Sequence, residues 1–149
     1  MSHILIPADH YLFLASEGDM TLAEMTTAWR EVQDLLAETG WERLFVDVTA
    51  LRNCPNTEEL FDLAKLIWRD FPQGGRMALL VRWDQSRFAK LLETLVRSVG
   101  LYLTVFVSEE QAEAWILADP QDKNRLLTFN PASETSHASS RPDEVNAIC

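Results

Sequence analysis

Three apolar runs constrain this chain most: "RLFVDVT" (43–49), "RMALLVR" (76–82) and "LYLTVFV" (101–107). Each is apolar on both faces of an extended chain, so each must be a strand covered on two sides. The segments between them carry apolar residues at helical spacing instead. Strands of that kind alternating with amphipathic helices imply an α/β domain, its sheet mixed but mainly parallel and built from right-handed crossovers. Val46, Leu79 and Val105 are expected at the centres of its central strands.

The remaining elements follow from local signals. "YLFLAS" (11–16) reads as a further strand, preceded by a short one at "HILI", which brings the sheet to about five strands. Thr21 with Glu24 three residues on predicts a capping box for a first helix whose stripe is Leu22, Met25, Trp29, Val32 and Leu36. Gly40 ends it. A second helix spans 57–71, with Leu60, Ala64, Ile67 and Phe71 on one face, widened by Phe61, Leu63 and Trp68. A third is capped by Asp84 or Ser86 and turns Phe88, Leu91, Leu92, Leu95 and Val99 inward before Gly100. Ser108 and Gln111 are placed for a capping box on a short fourth helix, "SEEQAEAWIL". Residues 1–129 are expected to form the domain, with "RLLTF" (125–129) either an edge strand or a segment packed on the surface. The Ser/Pro/Asn/Glu-rich stretch 130–149 has too little apolar content for a core and is expected to be a flexible tail.

Charge and composition exclude several function classes. The formal net charge of −10 repels a nucleic-acid backbone and an anionic bilayer alike, and no basic cluster with interleaved aromatics offsets it. The start of the chain lacks the charged and apolar regions of a signal peptide, and no run is long enough to span a membrane. Cys54 and Cys149 form no CxxC pair, which points to a reduced, cytoplasmic protein. His3, His10 and His137 all lie toward the termini. No Ser-His-Asp or Cys-His constellation, phosphate-binding glycine loop or zinc motif is present, so neither an enzyme nor a cofactor is expected.

"LFVDVTAL" with its strand-ending Asp47, "RSVGLYLTVF" before the last helix, and "SEEQAEAWIL" at the close occur in a particular order and spacing. In these stretches, over residues 11 to about 118, the chain resembles the STAS/SpoIIAA-like superfamily, and within it the bacterial SpoIIAA-like branch grouped with the STAS/SEC14 fold. The resemblance implies a SpoIIAA-like fold and a non-enzymatic regulatory role through protein contacts, as in anti-sigma-factor antagonists. In those antagonists a serine in a "D-S-S-G" context, where a strand and turn lead into a helix, is phosphorylated. Aligned forward from Asp47, "PNTE" occupies that place and Thr57 falls on the phosphorylated position. Pro55 stands for the Asp, Asn56 for the first Ser and Glu58 for the Gly, so the resemblance implies the surface without its switch.

The candidate site is therefore Asp47, Asn56 and Thr57. Asp47 lies toward the strand edge where open α/β sheets bind ligands, although its carboxylate can equally accept N–H bonds from the chain that follows. Asn56 or Thr57 reads as an N-cap, with Glu59 closing a capping box if Asn56 leads. Glu58 and Glu59 already compensate the helix dipole, which disfavours a phosphate there. Phe61, Trp68 and Trp83 are the candidate interface, since the second helix carries more apolar surface than one sheet face needs. A twofold homodimer through that stripe is the expected form of self-association. The rival reading is a small apolar ligand or lipid held between helices and sheet.

Overall fold

The computed structural model describes residues 2–118, and the expectations for 125–129 and 130–149 lie outside them. The chain begins as a hairpin. Strand β1 (Ser2–Pro7) pairs antiparallel with β2 (Leu12–Gly18), and the turn closes with Ala8 N–H donating to the Tyr11 carbonyl. From there strands and helices alternate: α1 (Leu22–Thr39), β3 (Arg43–Leu51), α2 (Thr57–Asp70), β4 (Arg76–Leu80), α3 (Ser86–Arg97), β5 (Tyr102–Phe106) and α4 (Glu109–Leu117). The sheet is mixed and mainly parallel, and its order is simply β1-β2-β3-β4-β5.

That order decides where the helices go. Three crossovers of one hand, each stepping one place in the same direction, must put α1, α2 and α3 on one face. One apolar cluster accordingly joins Trp29, Val32 and Leu36 of α1, Leu60 and Ile67 of α2, and Phe88, Leu92 and Val96 of α3 to Leu14, Val46, Leu79 and Val105 of the sheet. Among the described residues no strand follows β5, and α4 folds back over the other face. There Ala112, Trp115 and Ile116 meet Phe45, Ala78, Leu80 and Phe106. The last carbonyls of α4 are held by two guanidinium groups from the feet of the central strands. Arg76 donates to Trp115 and Ala118, and Arg43 to Ile116, supplying partners and positive charge at a helix C-terminus that has no glycine cap.

The expected strand holding Val105 is not central. Among the described residues sequential stepping leaves β5 at the margin of the sheet, and Val105 is buried because α3 covers the face it turns to. The edge itself is guarded by α3. The Glu93 carboxylate accepts from Val105 N–H at 2.7 Å, and Arg97 Nε donates to the Leu103 carbonyl at 2.7 Å.

Two further expectations are corrected. Neither Asp84 nor Ser86 caps α3. A short 3-10 turn, Trp83–Gln85, leads into it, Gln85 takes the cap position without a side-chain cap bond, and Asp84 pairs with Arg82 instead. The buried stripe of α3 is also rotated from the expected one. Ala89 and Val96 are buried, whereas Leu91 and Val99 are exposed. A small alanine lets the helix approach the sheet closely, and that approach fixes which side turns in. By contrast Thr21, Asn56 and Ser108 each accept a backbone N–H at the start of α1, α2 and α4, and Gly40 ends α1 at φ 75°.

Candidate functional site: the C-terminal edge and the outer face of α2

The loops leaving β2, β3 and β4 meet at the C-terminal edge of the sheet, and polar side chains lock them together. Asn53 bonds both main-chain groups of Met20: its Oδ1 accepts from Met20 N–H, and its Nδ2 donates to the Met20 carbonyl at 2.9 Å. Arg52 N–H donates to the Gly18 carbonyl at 2.9 Å. From the other side, the Arg82 guanidinium donates to the carbonyls of Thr49 and Leu51 while pairing with Asp84. Gln85, at 0% exposure, donates from Nε2 to the Val48 carbonyl at 2.8 Å and accepts Arg82 N–H at Oε1, also at 2.8 Å.

These groups were not found by sequence reasoning. An Asn, an Arg and a Gln in loops carry no spacing signal, and Gln is rarely buried. Only the folding of three loops onto one edge brings them together. Among the described residues no group of three His, Cys, Asp or Glu is placed to hold a metal ion.

Asp47 is set back from this edge. β3 continues to Leu51, four residues further, so Asp47 lies about 13 Å short of the strand end. Its Oδ1 accepts Thr49 N–H at 2.9 Å and the Thr49 hydroxyl at 2.6 Å. The β2–β3 register slips at this point, from Ala15↔Asp47 to Glu17↔Ala50. One extra residue on β3 loses its ladder partner in such a bulge, and Asp47 supplies a substitute acceptor.

The mouth of α2 is a complete capping box. Asn56 Oδ1 accepts Glu59 N–H at 2.8 Å, and the Glu59 carboxylate accepts Asn56 N–H at 3.0 Å. Thr57 is the first helical residue and is exposed, with Glu58 and Glu59 completing an acidic first turn. Pro55 is buried, and Cys54 packs against the main core but is not a free thiol, which corrects the expectation of a reduced cysteine there.

The expected interface residues divide. Trp83 is only partly exposed. Phe61 (46% exposed) and Trp68 (55%) stand out of α2, seven residues apart and so on one side of the helix, about 10 Å from one another along its axis. Thr57, one turn before Phe61, opens the same stripe. Beneath α2, Leu63, Leu66 and Ile67 with Trp29, Val46 and Phe88 enclose an apolar cavity of about 70 Å³. That is a fraction of the roughly 300–1,000 Å³ that holds a drug-sized ligand.

No protein-family model matches this sequence, and no curated protein matches it. Solved structures do. An anti-sigma factor antagonist from Mycobacterium paratuberculosis superposes with a TM-score of 0.58 at 14% identity, over 78% of this chain and 94% of that one. An uncharacterised protein with a SpoIIAA-like fold from Shewanella loihica PV-4 gives 0.49 at 14% identity, over 77% and 92%. In the order of its strands, the side each helix takes and this superposition, the chain has a SpoIIAA-like α/β fold.

Proposed function

We propose that the protein is a non-enzymatic, cytoplasmic regulatory module that binds a protein partner on the outer face of α2, without a phosphorylation switch at Thr57. The exposed aromatic pair Phe61 and Trp68 carries this reading. Two large apolar side chains held in water on a rigid helix are the residue type that supplies most binding energy in protein interfaces. The helix that carries them starts at an edge whose loops are cross-tied by Asn53, Arg82 and Gln85, and a side chain on a held helix loses little entropy on binding. Asp47, Asn56 and Thr57 serve this surface structurally in the proposal: Asp47 holds the β3 bulge, and Asn56 fixes the helix mouth where Thr57 begins the contact stripe. The resemblance to anti-sigma-factor antagonists supports a partner protein rather than a substrate.

A photoreactive amino acid at position 61, introduced in the native cell, tests this directly. A single crosslinked protein that disappears when Trp68→Ser is added is the expected result. Crosslinks that do not respond to Trp68→Ser count against the surface. Stoichiometric phosphate on Thr57 in protein from the native cell overturns the switchless reading.

A further inference from the structure

The two edges of the sheet are treated differently. On β5, Glu93 and Arg97 bond the outward-facing N–H of Val105 and carbonyl of Leu103. Nothing equivalent guards β1 among the described residues. Its six residues, "SHILIP", include no Asp, Glu, Lys or Arg, although the chain as a whole carries a formal charge of −10. Charges, bulges and covering segments are the usual protections of an open edge, and β1 is paired with β2 in unbroken register.

The hairpin fixes which groups β1 offers. Ala8 N–H bonds the Tyr11 carbonyl, so Ala8 and Tyr11 form a hydrogen-bonded pair. The alternation of an antiparallel ladder then makes Ile6↔Phe13 and Ile4↔Ala15 bonded pairs as well. Pro7, Leu5 and His3 occupy the other positions, so their backbone groups point away from β2. Pro7 fits this phase, because the N–H it lacks would have faced outward. The side chains alternate too. Leu5 and His3 turn toward α1, where Leu5 meets the core and His3 meets Glu31. Ile4 (59% exposed) and Ile6 (47%) share the other face with Phe13 and Ala15, which α4 leaves open because it lies over β3, β4 and β5.

We infer that β1 pairs antiparallel with β1 of a second copy about a twofold axis at Leu5, joining two sheets into one of ten strands. The match is self-complementary. Leu5 exchanges both main-chain bonds with Leu5 of the second copy, and each His3 N–H donates to the opposite Pro7 carbonyl, about four bonds in all. The missing N–H of Pro7 costs one acceptor pairing on each side, at the ends of the contact. Ile4 then lies opposite Ile6 of the second copy, and Ile6 opposite Ile4, forming an apolar ladder across the axis. β1 itself brings no carboxylate into the contact, and repulsion from the flanking Asp9, Glu17 and Glu31 is screened over about 8 Å at physiological salt.

Sedimentation velocity of the full chain between 1 and 200 μM, with melting temperatures recorded in parallel, tests the contact. The wild type is expected to pass from monomer to dimer across this range. Ile4→Lys sets like charges on both sides of the axis and is expected to raise the dissociation constant at least about tenfold without lowering the melting temperature at 1 μM, where both chains are monomers. Leu5→Pro removes only an outward N–H on the backbone and is expected to act likewise. Since it also removes a core contact, Ile4→Lys with Ile6→Lys is the second variant that decides if Leu5→Pro fails to fold. Phe61→Ser with Trp68→Ser should leave the dimer intact. A wild type that stays monomeric at 200 μM overturns the inference, as does a dimer that survives the lysines or is lost with the α2 aromatics. A melting temperature that falls with Ile4→Lys at 1 μM, where both chains are monomers, also overturns it, showing the strand covered by its own chain.

Discussion

Replacing Gln85 by Met should be among the most damaging conservative changes in the molecule. Methionine fills nearly the same volume, so no cavity forms and the loss is one of hydrogen bonding alone. Two main-chain groups lose their partners: the buried Val48 carbonyl, now bonded by Nε2, and the part-buried Arg82 N–H, now bonded by Oε1. An unsatisfied buried polar group costs about 1–3 kcal/mol and the part-buried N–H less, so the pair should cost roughly 2–5 kcal/mol. In a domain of this size that lowers Tm by about 6–20 °C.

Gln85→Glu separates the two bonds. A carboxylate can still accept Arg82 N–H, but against the Val48 carbonyl it sets oxygen on oxygen, and burial further disfavours the charge. Its folded pKa should therefore rise above the ordinary value of about 4.3, with the folded state binding the extra proton. The penalty is full above the raised folded pKa and disappears as pH falls toward the unfolded value, where a protonated Glu can donate to Val48. Urea unfolding of both variants and the wild type, from pH 7.5 to pH 4, is the assay. A Met variant within about 1 kcal/mol of wild type, or a Glu variant whose deficit does not shrink on acidification, would refute the argument.

Asn56→Ala removes the acceptor of Glu59 N–H and opens the capping box, with an expected loss of about 0.5–2 kcal/mol by urea denaturation. Val46→Asp places an unpaired charge in the main core, under α2, and should cost about 3–5 kcal/mol; near-normal melting would mean that Val46 does not face the core. The Arg69 guanidinium bonded to Asp70 holds that carboxyl below its ordinary range, with burial opposing. A depressed folded pKa stabilises the fold above the unfolded value near 4 and ceases to do so as pH falls through the folded value. The Tm difference between wild type and Asp70→Asn should therefore shrink between pH 6 and pH 3.

Elements whose signals are local were legible in the sequence, and arrangements made by the chain returning on itself were not. Asn56 and Glu59 stand three residues apart, and the fold bears out the cap that this spacing predicts. The apolar runs of β3, β4 and β5 predict strands covered on both sides, and α4 supplies the second cover. Strand order is different, because nothing inside "LYLTVFV" distinguishes a central strand from an edge sheltered by Glu93 and Arg97. The rotation of α3 depended on Ala89, which a count of large apolar residues passes over. Gln85, Arg82 and Asn53 were invisible for a stronger reason: each donates to a backbone carbonyl 31 to 37 residues away, and main-chain acceptors leave no trace in residue type.

The same distinction bears on the helix mouth. A phosphate bound at a helix start needs free N–H groups and little competing negative charge. Here the capping box takes up Asn56 N–H and Glu59 N–H, and Leu60 N–H already bonds the Asn56 carbonyl. Only Thr57 and Glu58 keep unclaimed main-chain donors in the first turn, and the Glu58 and Glu59 carboxylates stand over them. A phosphate on Thr57 would add roughly −2 charge beside both. It would also sit at the head of the stripe that runs on to Phe61 and Trp68, where an apolar contact is weakened by a hydrated dianion. In an antagonist that must release its partner such a conflict is useful, because the modification costs the helix little and the interface much. In this chain the first turn is already acidic, so the repulsion that a switch would switch on is partly present at all times. If the proposed partner binds this face, it must tolerate fixed negative charge at the helix start, and a basic rim around an apolar socket for Phe61 and Trp68 is the complement that does so.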